Sequence, residues 1–191
     1  MKPALKVIGI DPGLADTGFG IVEGAGDQIG DYAFGTIRTS KADALAGRLD
    51  HIFSELCSIL NSEKPDLMVI EDIFSLKQYP KSSIALGKVC GVILLAGSKC
   101  GVPAVELPAR EVKRIITGNG NATKAQMERA VRHFLKRETA IAPSHASDAL
   151  ALALVGLFRY EKNPDFAKAS NGVAKNRICC SIWRKLHFVS E

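Results

Sequence analysis

The stretch VIGIDPGLADTGFGIVE, residues 7–23, decides how the chain begins to fold. An apolar run delivers a single carboxylate, Asp11, into Pro12-Gly13, and a second apolar run starts at Thr17. Two short apolar runs separated by turn residues predict paired antiparallel strands, over residues 5–10 and 17–23. Asp11 then carries two readings. Aspartate before Pro-Gly is a turn former, because its short side chain bonds nearby backbone. Alternatively, it is one of several carboxylates gathered around a metal ion.

Outward from that stretch, QIGDYAFGTIRT alternates well enough for a third strand. Residues 42–63 carry Leu45, Leu49, Ile52, Phe53, Leu56, Ile59 and Leu60 at helical spacing, and Pro65 ends that helix. DLMVIE, residues 66–71, has no polar interior position and reads as a central strand ending on Glu71. An apolar helix over 82–98, a short strand VPAVELP and a short helix AREVKRIIT closed by GNGN follow. A capped helix begins at Thr123, and a last apolar helix begins near Ser144, the expected N-cap. The order β-β-β-α-β-α-β-α-α-α predicts an α/β fold, a mixed five-stranded sheet with helices on both faces. Residues 1–161 read as one domain. Residues 162–191 lose all period, carry mostly basic charge and read as a mobile tail.

The net charge of +5 and the pI near 9.0 are compatible with a polyanionic partner such as nucleic acid. Cys57, Cys90, Cys100, Cys179 and Cys180 make an odd set without C-x-x-C, which fits neither a disulfide framework nor a zinc finger. A cytoplasmic location is the expectation. The N-terminal apolar stretch is too short for a signal peptide, and no membrane segment is expected. The longest candidate, VCGVILLAGSKCGVPAV, is broken by Ser, Lys, Gly and Pro.

The carboxylates decide what Asp11 is for. A crossover through the first helix makes 5–10 and 66–71 parallel neighbours, so Asp11 and Glu71 meet at one sheet edge. They then lie one strand spacing apart, roughly 5 Å. Two carboxylates that close repel unless a cation sits between them, and Mg²⁺ suits an oxygen-rich site. His145 and Asp148 are three apart at the start of the last helix and share a face. That face points at the same edge if the apolar turns after it pack on the sheet. Four such groups make a site for two-metal phosphodiester hydrolysis. Each alone has a plainer reading, as a turn, a solvated strand end or a helix-start charge. Asp16 and Asp72 are rival acids that spacing does not dismiss.

Four blocks, IGIDPGLADTGFGIV, VIEDIFSLKQYPKSSIALGKVCG, PAREVKRIITGNGNATKAQM and HASDALALAL, together resemble the RuvC family of Holliday-junction resolvases. They keep the family's order and cover nearly all of residues 6–158. The resemblance implies a ribonuclease-H-like fold and a homodimer. It also implies a metal-dependent endonuclease that resolves four-way junctions in recombination and repair, with water as nucleophile, by paired nicks leaving 5′-phosphates. It implies RuvA and RuvB as partners, and Mg²⁺ as cofactor, one or two ions per subunit. Asp11, Glu71 and Asp148 fall on the family's catalytic acids and His145 on its fourth position. Many members carry Asp there and some His. Mn²⁺ tolerates imidazole better than Mg²⁺ does, so Mn²⁺ is the alternative ion. The resemblance counts Lys124 with the catalytic set and implies DNA contacts by Lys113 and Lys124. Arg110, Arg114, Lys77 and Lys81 extend that basic surface. Phe74 is the implied aromatic that opens base pairs near the crossover; otherwise it caps the core.

Two other classes are weighed against this one. An actin-like ATPase also opens with G-I-D-x-G, but this chain lacks room for the second large domain. A junction binder without catalysis has no use for three acids at these positions.

Overall fold

The computed structural model describes residues 4–25, 28–72 and 80–162, with side chains for all of these except 80–82 and 160–162. The five strands are β1 (Leu5–Asp11), β2 (Asp16–Ala25), β3 (Gln28–Arg38), β4 (Leu67–Asp72) and β5 (Ala104–Pro108). The helices are α1 (Leu45–Glu63), α2 (Pro80–Cys100), α3 (Ala109–Thr117), α4 (Lys124–Phe134) and α5 (Ser144–Lys162). One sheet runs in the order β3-β2-β1-β4-β5. β1 and β2 are antiparallel, as are β2 and β3, while β4 lies parallel to both β1 and β5. This is the expected mixed sheet, and α1 supplies the crossover that makes β1 and β4 parallel.

Strand alternation divides the core in two. Val7, Val22, Leu67 and Val69 pack with α3, α4 and α5, whereas Ile8, Ile10, Ile21, Met68 and Ile70 pack with α1 and α2. Each fully buried aliphatic side chain contributes about 1.5–3 kcal/mol. α5 is apolar on nearly every side because it lies against the sheet on one face and α4 on another: Ala149 through Leu157, apart from Gly156, are all buried apolar residues.

Several boundaries move from their expected places. α1 starts at Leu45 rather than Ala42, because Ser40–Asp43 close a turn in which Ala42 N–H donates to Ser40 Oγ at 3.1 Å. Ser144 is already the first residue of α5, not its N-cap, and Pro143 precedes it. Proline presets a helical φ and has no N–H to satisfy, so it suits a helix entry. Ala146 N–H donates back to Pro143 O at 3.0 Å.

The largest difference is α2. Ser98 and Lys99, expected to break the apolar run, are carried inside a 21-residue helix, whereas Gly101, at φ +71°, and Pro103 follow its end as expected. Its residues Ser83–Cys100, with mean hydropathy 1.5, are long and apolar enough to cross a membrane by length and composition. Val89, Ile93 and Ala96 are buried between the sheet and α1, while Ile84, Leu94 and Leu95 are exposed. The tail reading for residues 162–191 lies, beyond Lys162, outside the described residues.

Candidate active site

Asp11 is the last residue of β1 and pairs with Gly18 of β2, so it belongs to the sheet and not to the turn. The turn that follows is closed by Thr17, whose hydroxyl donates to Gly13 O at 2.6 Å. Arg48 of α1 pins it from outside by donating to Leu14 O at 3.0 Å. Alternation puts Asp11 on the same face as Val7 and Gly9, toward α5. The Ile10–Ile70 pairing of β1 with β4 brings Glu71 alongside, one step beyond, on that same face.

Two glycines let α5 come down onto this edge. A Cβ on Gly9 would collide with Ala149 O, and one on Gly18 with His145 O. Without those methyl groups the backbone of α5 rests directly on β1 and β2. His145 and Asp148 therefore arrive beside the strand-end acids. His145 Nδ1 meets Asp11 Oδ2 at 2.6 Å, and Asp11 is only 7% exposed.

The result is a cavity of about 200 Å³ walled by Asp11, Glu71, His145 and Asp148. Lys113 of α3 and Lys124 of α4 also line it, with Lys124 Nζ 3.8 Å from Asp148 Oδ2. Its remaining walls are apolar: Ala109, Val112, Met127 and Leu152. The sequence reading missed that apolar wall, although Leu152 follows Asp148 by four residues and so shares its face.

The electrostatics are those of crowded anions. Burial, then the nearby charge of Asp11 and a hydrogen bond with it, then Asp148, push the Glu71 carboxyl up to about 8, against a smaller pull from Lys113. Asp148 is raised too, by burial and by Asp11, against Lys124, His145 and Lys113. The protein's own cations therefore do not balance these acids, and the site holds a proton where a cation would serve. Three carboxylates and an imidazole are a donor set that suits a hard or borderline divalent ion. As the side chains stand, no three acidic, imidazole or thiol groups among the described residues are already disposed to hold an ion.

The rival acids are elsewhere. Asp16 opens β2 and pairs with Arg38 Nε at 3.3 Å. Asp72 stands on the face of β4 opposite Glu71, toward Cys90 of α2. Arg110 and Arg114 are exposed on α3 and do not line the cavity. Phe74 and Lys77 lie outside the described residues, as does the side chain of Lys81.

The family model for the crossover junction endodeoxyribonuclease RuvC matches residues 7–156, which contain every wall of this cavity. The chain belongs to the RuvC family. A RuvC from Geobacter metallireducens is 37% identical over 150 residues, covering 78% of this chain and 90% of that protein. One from Coxiella burnetii is 40% identical over 153 residues, covering 80% and 87%. Among solved structures, Thermus thermophilus RuvC in complex with a Holliday junction substrate superposes with a TM-score of 0.78 at 28% identity. It covers 83% of this chain and 96% of that one. The RuvC assignment brings with it a metal-dependent nuclease of the ribonuclease-H-like fold, acting in recombination and repair, as the four sequence blocks implied.

Proposed function

We propose that this cavity is where the chain, a crossover junction endodeoxyribonuclease, cuts four-way DNA junctions. The observation that carries the assignment is the convergence of Asp11, Glu71 and Asp148, from three separate elements, on one cavity that two lysines also reach. The junction-bound Thermus thermophilus relative supports the substrate.

Asp11, Glu71 and Asp148 would hold one or two divalent ions through oxygen, and His145 through its ring. Mg²⁺ suits the carboxylates, and Mn²⁺ better tolerates the imidazole. The chemistry such an ion supplies is a lowered pKa for the attacking water and a stabilised leaving oxygen. The protein's residues prepare the ground. Nδ1 of His145 is engaged by Asp11, which leaves Nε2 as the ring nitrogen available to a ligand. Lys113 and Lys124 place positive charge where the scissile phosphate gains negative charge. The exposed Arg110 and Arg114 extend the basic surface to neighbouring phosphates, and Lys77 and Lys81 add their charge to the same task. Phe74 stacks on an unpaired base at the crossover.

α2 is the surface for a second copy. Ile84 is 63% exposed, Leu95 48% and Leu94 38%, and Gly91 faces open space. A two-fold dimer presents two cavities to the two strands of like polarity. RuvA and RuvB complete the reading as branch-migration partners, with the cytoplasm as its setting.

The test is a labelled four-way junction and a matched duplex, each with Mg²⁺, Mn²⁺ or EDTA. Paired nicks in the junction alone, abolished by EDTA, are expected. Equal cutting of the duplex, or cutting in EDTA, would sink the assignment. ATP turnover without nicking would instead favour the actin-like reading.

A further inference from the structure

Lys113 and Lys124 reach one cavity from two helices joined by a six-residue connection, and that connection is closed by its own hydrogen bonds. Thr117 Oγ1 donates to Lys113 O at 2.8 Å and accepts from Asn119 N–H at 3.1 Å. Gly118, at φ +76°, turns the chain out of α3 and donates to Arg114 O at 2.9 Å. Asn121 N–H donates to Asn119 Oδ1 at 2.9 Å, and Ala122 N–H to Asn119 O at 3.1 Å. The last link is reciprocal. Gln126 N–H donates to Thr123 Oγ1 at 3.3 Å, and Thr123 N–H donates to Gln126 Oε1 at 2.8 Å. This is a complete capping box, and the residue it encloses first is Lys124.

We propose that Thr123 and Gln126 are positioning residues for Lys124, holding the first turn of α4 so that its ammonium group stays at the acidic cavity. The inference rests on the reading that Lys124 serves the cut phosphate.

The physical reason is local. Lys124 occupies the first helical position, where a helix frays unless capped. Its side chain is 71% exposed, and its ion pair with Asp148 is a loose 3.8 Å, so neither burial nor that pair holds it in place. The box fixes the backbone from which the side chain starts. Met127, one turn on, lines the same cavity and is buried at 3% exposure, so the rest of the helix is anchored by packing. Only the first turn depends on the cap.

Junction nicking is measured at saturating substrate with Mg²⁺, alongside junction affinity, for Thr123→Ala, Gln126→Ala and Thr123→Ser. Each is made in the wild-type and Lys124→Ala backgrounds. Removing either half of the box should lower kcat about five-fold, the population shift that loss of a cap typically brings. KM should change less than two-fold, Thr123→Ser should restore the rate, and neither alanine should lower kcat further in the Lys124→Ala background. Thermal melts at the assay temperature confirm that each variant is folded. An unchanged kcat, or an equal loss in both backgrounds, overturns the positioning role and leaves the role of Lys124 standing. A Lys124→Ala protein that nicks at the wild-type rate overturns both.

Discussion

Asp11 is buried, paired in the sheet and held by His145, so its side chain is fixed before any ligand arrives. Asp11→Asn keeps the shape and removes the charge. Cleavage should fall at least about 100-fold while junction affinity, which comes mainly from phosphate contacts, is retained. Nicking and gel-shift titrations on one preparation check both halves. Glu71 makes a separate prediction. Its folded-state pKa of about 8 lies above the ordinary 4.5, so the unfolded chain gives up its proton first. In EDTA, stability should therefore fall as pH rises from 4.5 to about 8, then level off. Glu71→Gln should flatten that slope, leaving the part that belongs to Asp148, and melt higher above pH 8, by about 2–4 °C for each ~1 kcal/mol relieved. Parallel melting curves of the two proteins, without a rising gap between them, would contradict the crowded-acid picture. The same proton must leave before a cation enters, so nicking at limiting Mg²⁺ should increase from pH 6 to pH 8.5.

At the scale of elements, the site exists because α5 lies bare against β1 and β2. Gly9→Ala and Gly18→Ala put a methyl group into the backbone of α5, and overpacking of this kind costs about 1–3 kcal/mol. Both should also slow nicking, since His145 and Asp148 ride on the displaced turn. Gly47→Ala in α1 is the control. Nothing lies within 4 Å of the added carbon, and the change should stabilise by about 0.5–1 kcal/mol. Urea denaturation with matched nicking assays separates the two cases; a neutral Gly18→Ala would mean that α5 has room to shift. This contact is also where reading the sequence stopped. The strand-end acids were legible because apolar runs end abruptly on Asp11 and Glu71. The pair His145–Asp148 was legible from helical spacing. That α5 packs without an intervening side-chain layer was not, because glycines in strands also mark bulges and turns. Nor was the dismissal of Asp16, which depends on a cross-strand pairing with Arg38 that only register reveals. The N-terminus of α5 was misplaced by one residue because Ser144 and Pro143 are both good entry signals.

For the whole molecule, the two-layer core leaves α2 half-covered. The proposed dimer would bury Ile84, Leu94 and Leu95, an apolar face that one chain alone leaves in water. Leu95→Asp, with Ile84→Asp as a second variant, should shift the protein from dimer to monomer in sedimentation equilibrium. The paired nicks should then become independent single nicks. A dimer unaffected by either change would place the interface elsewhere. The alternation that splits this core also bears on how such genes can drift. Asp11 and Glu71 face the cavity only because each is an even number of residues from its buried anchors, Val7 and Gly9 in one strand and Leu67 and Val69 in the other. Deleting or inserting one residue within either strand swings the acid to the α2 side. A two-residue change restores the side but moves the acid about 6.6 Å along the edge. Length variation among relatives should therefore be absent inside β1 and β4 and tolerated in the β2–β3 connection, a pattern that a collection of aligned genes can test without a single purified protein.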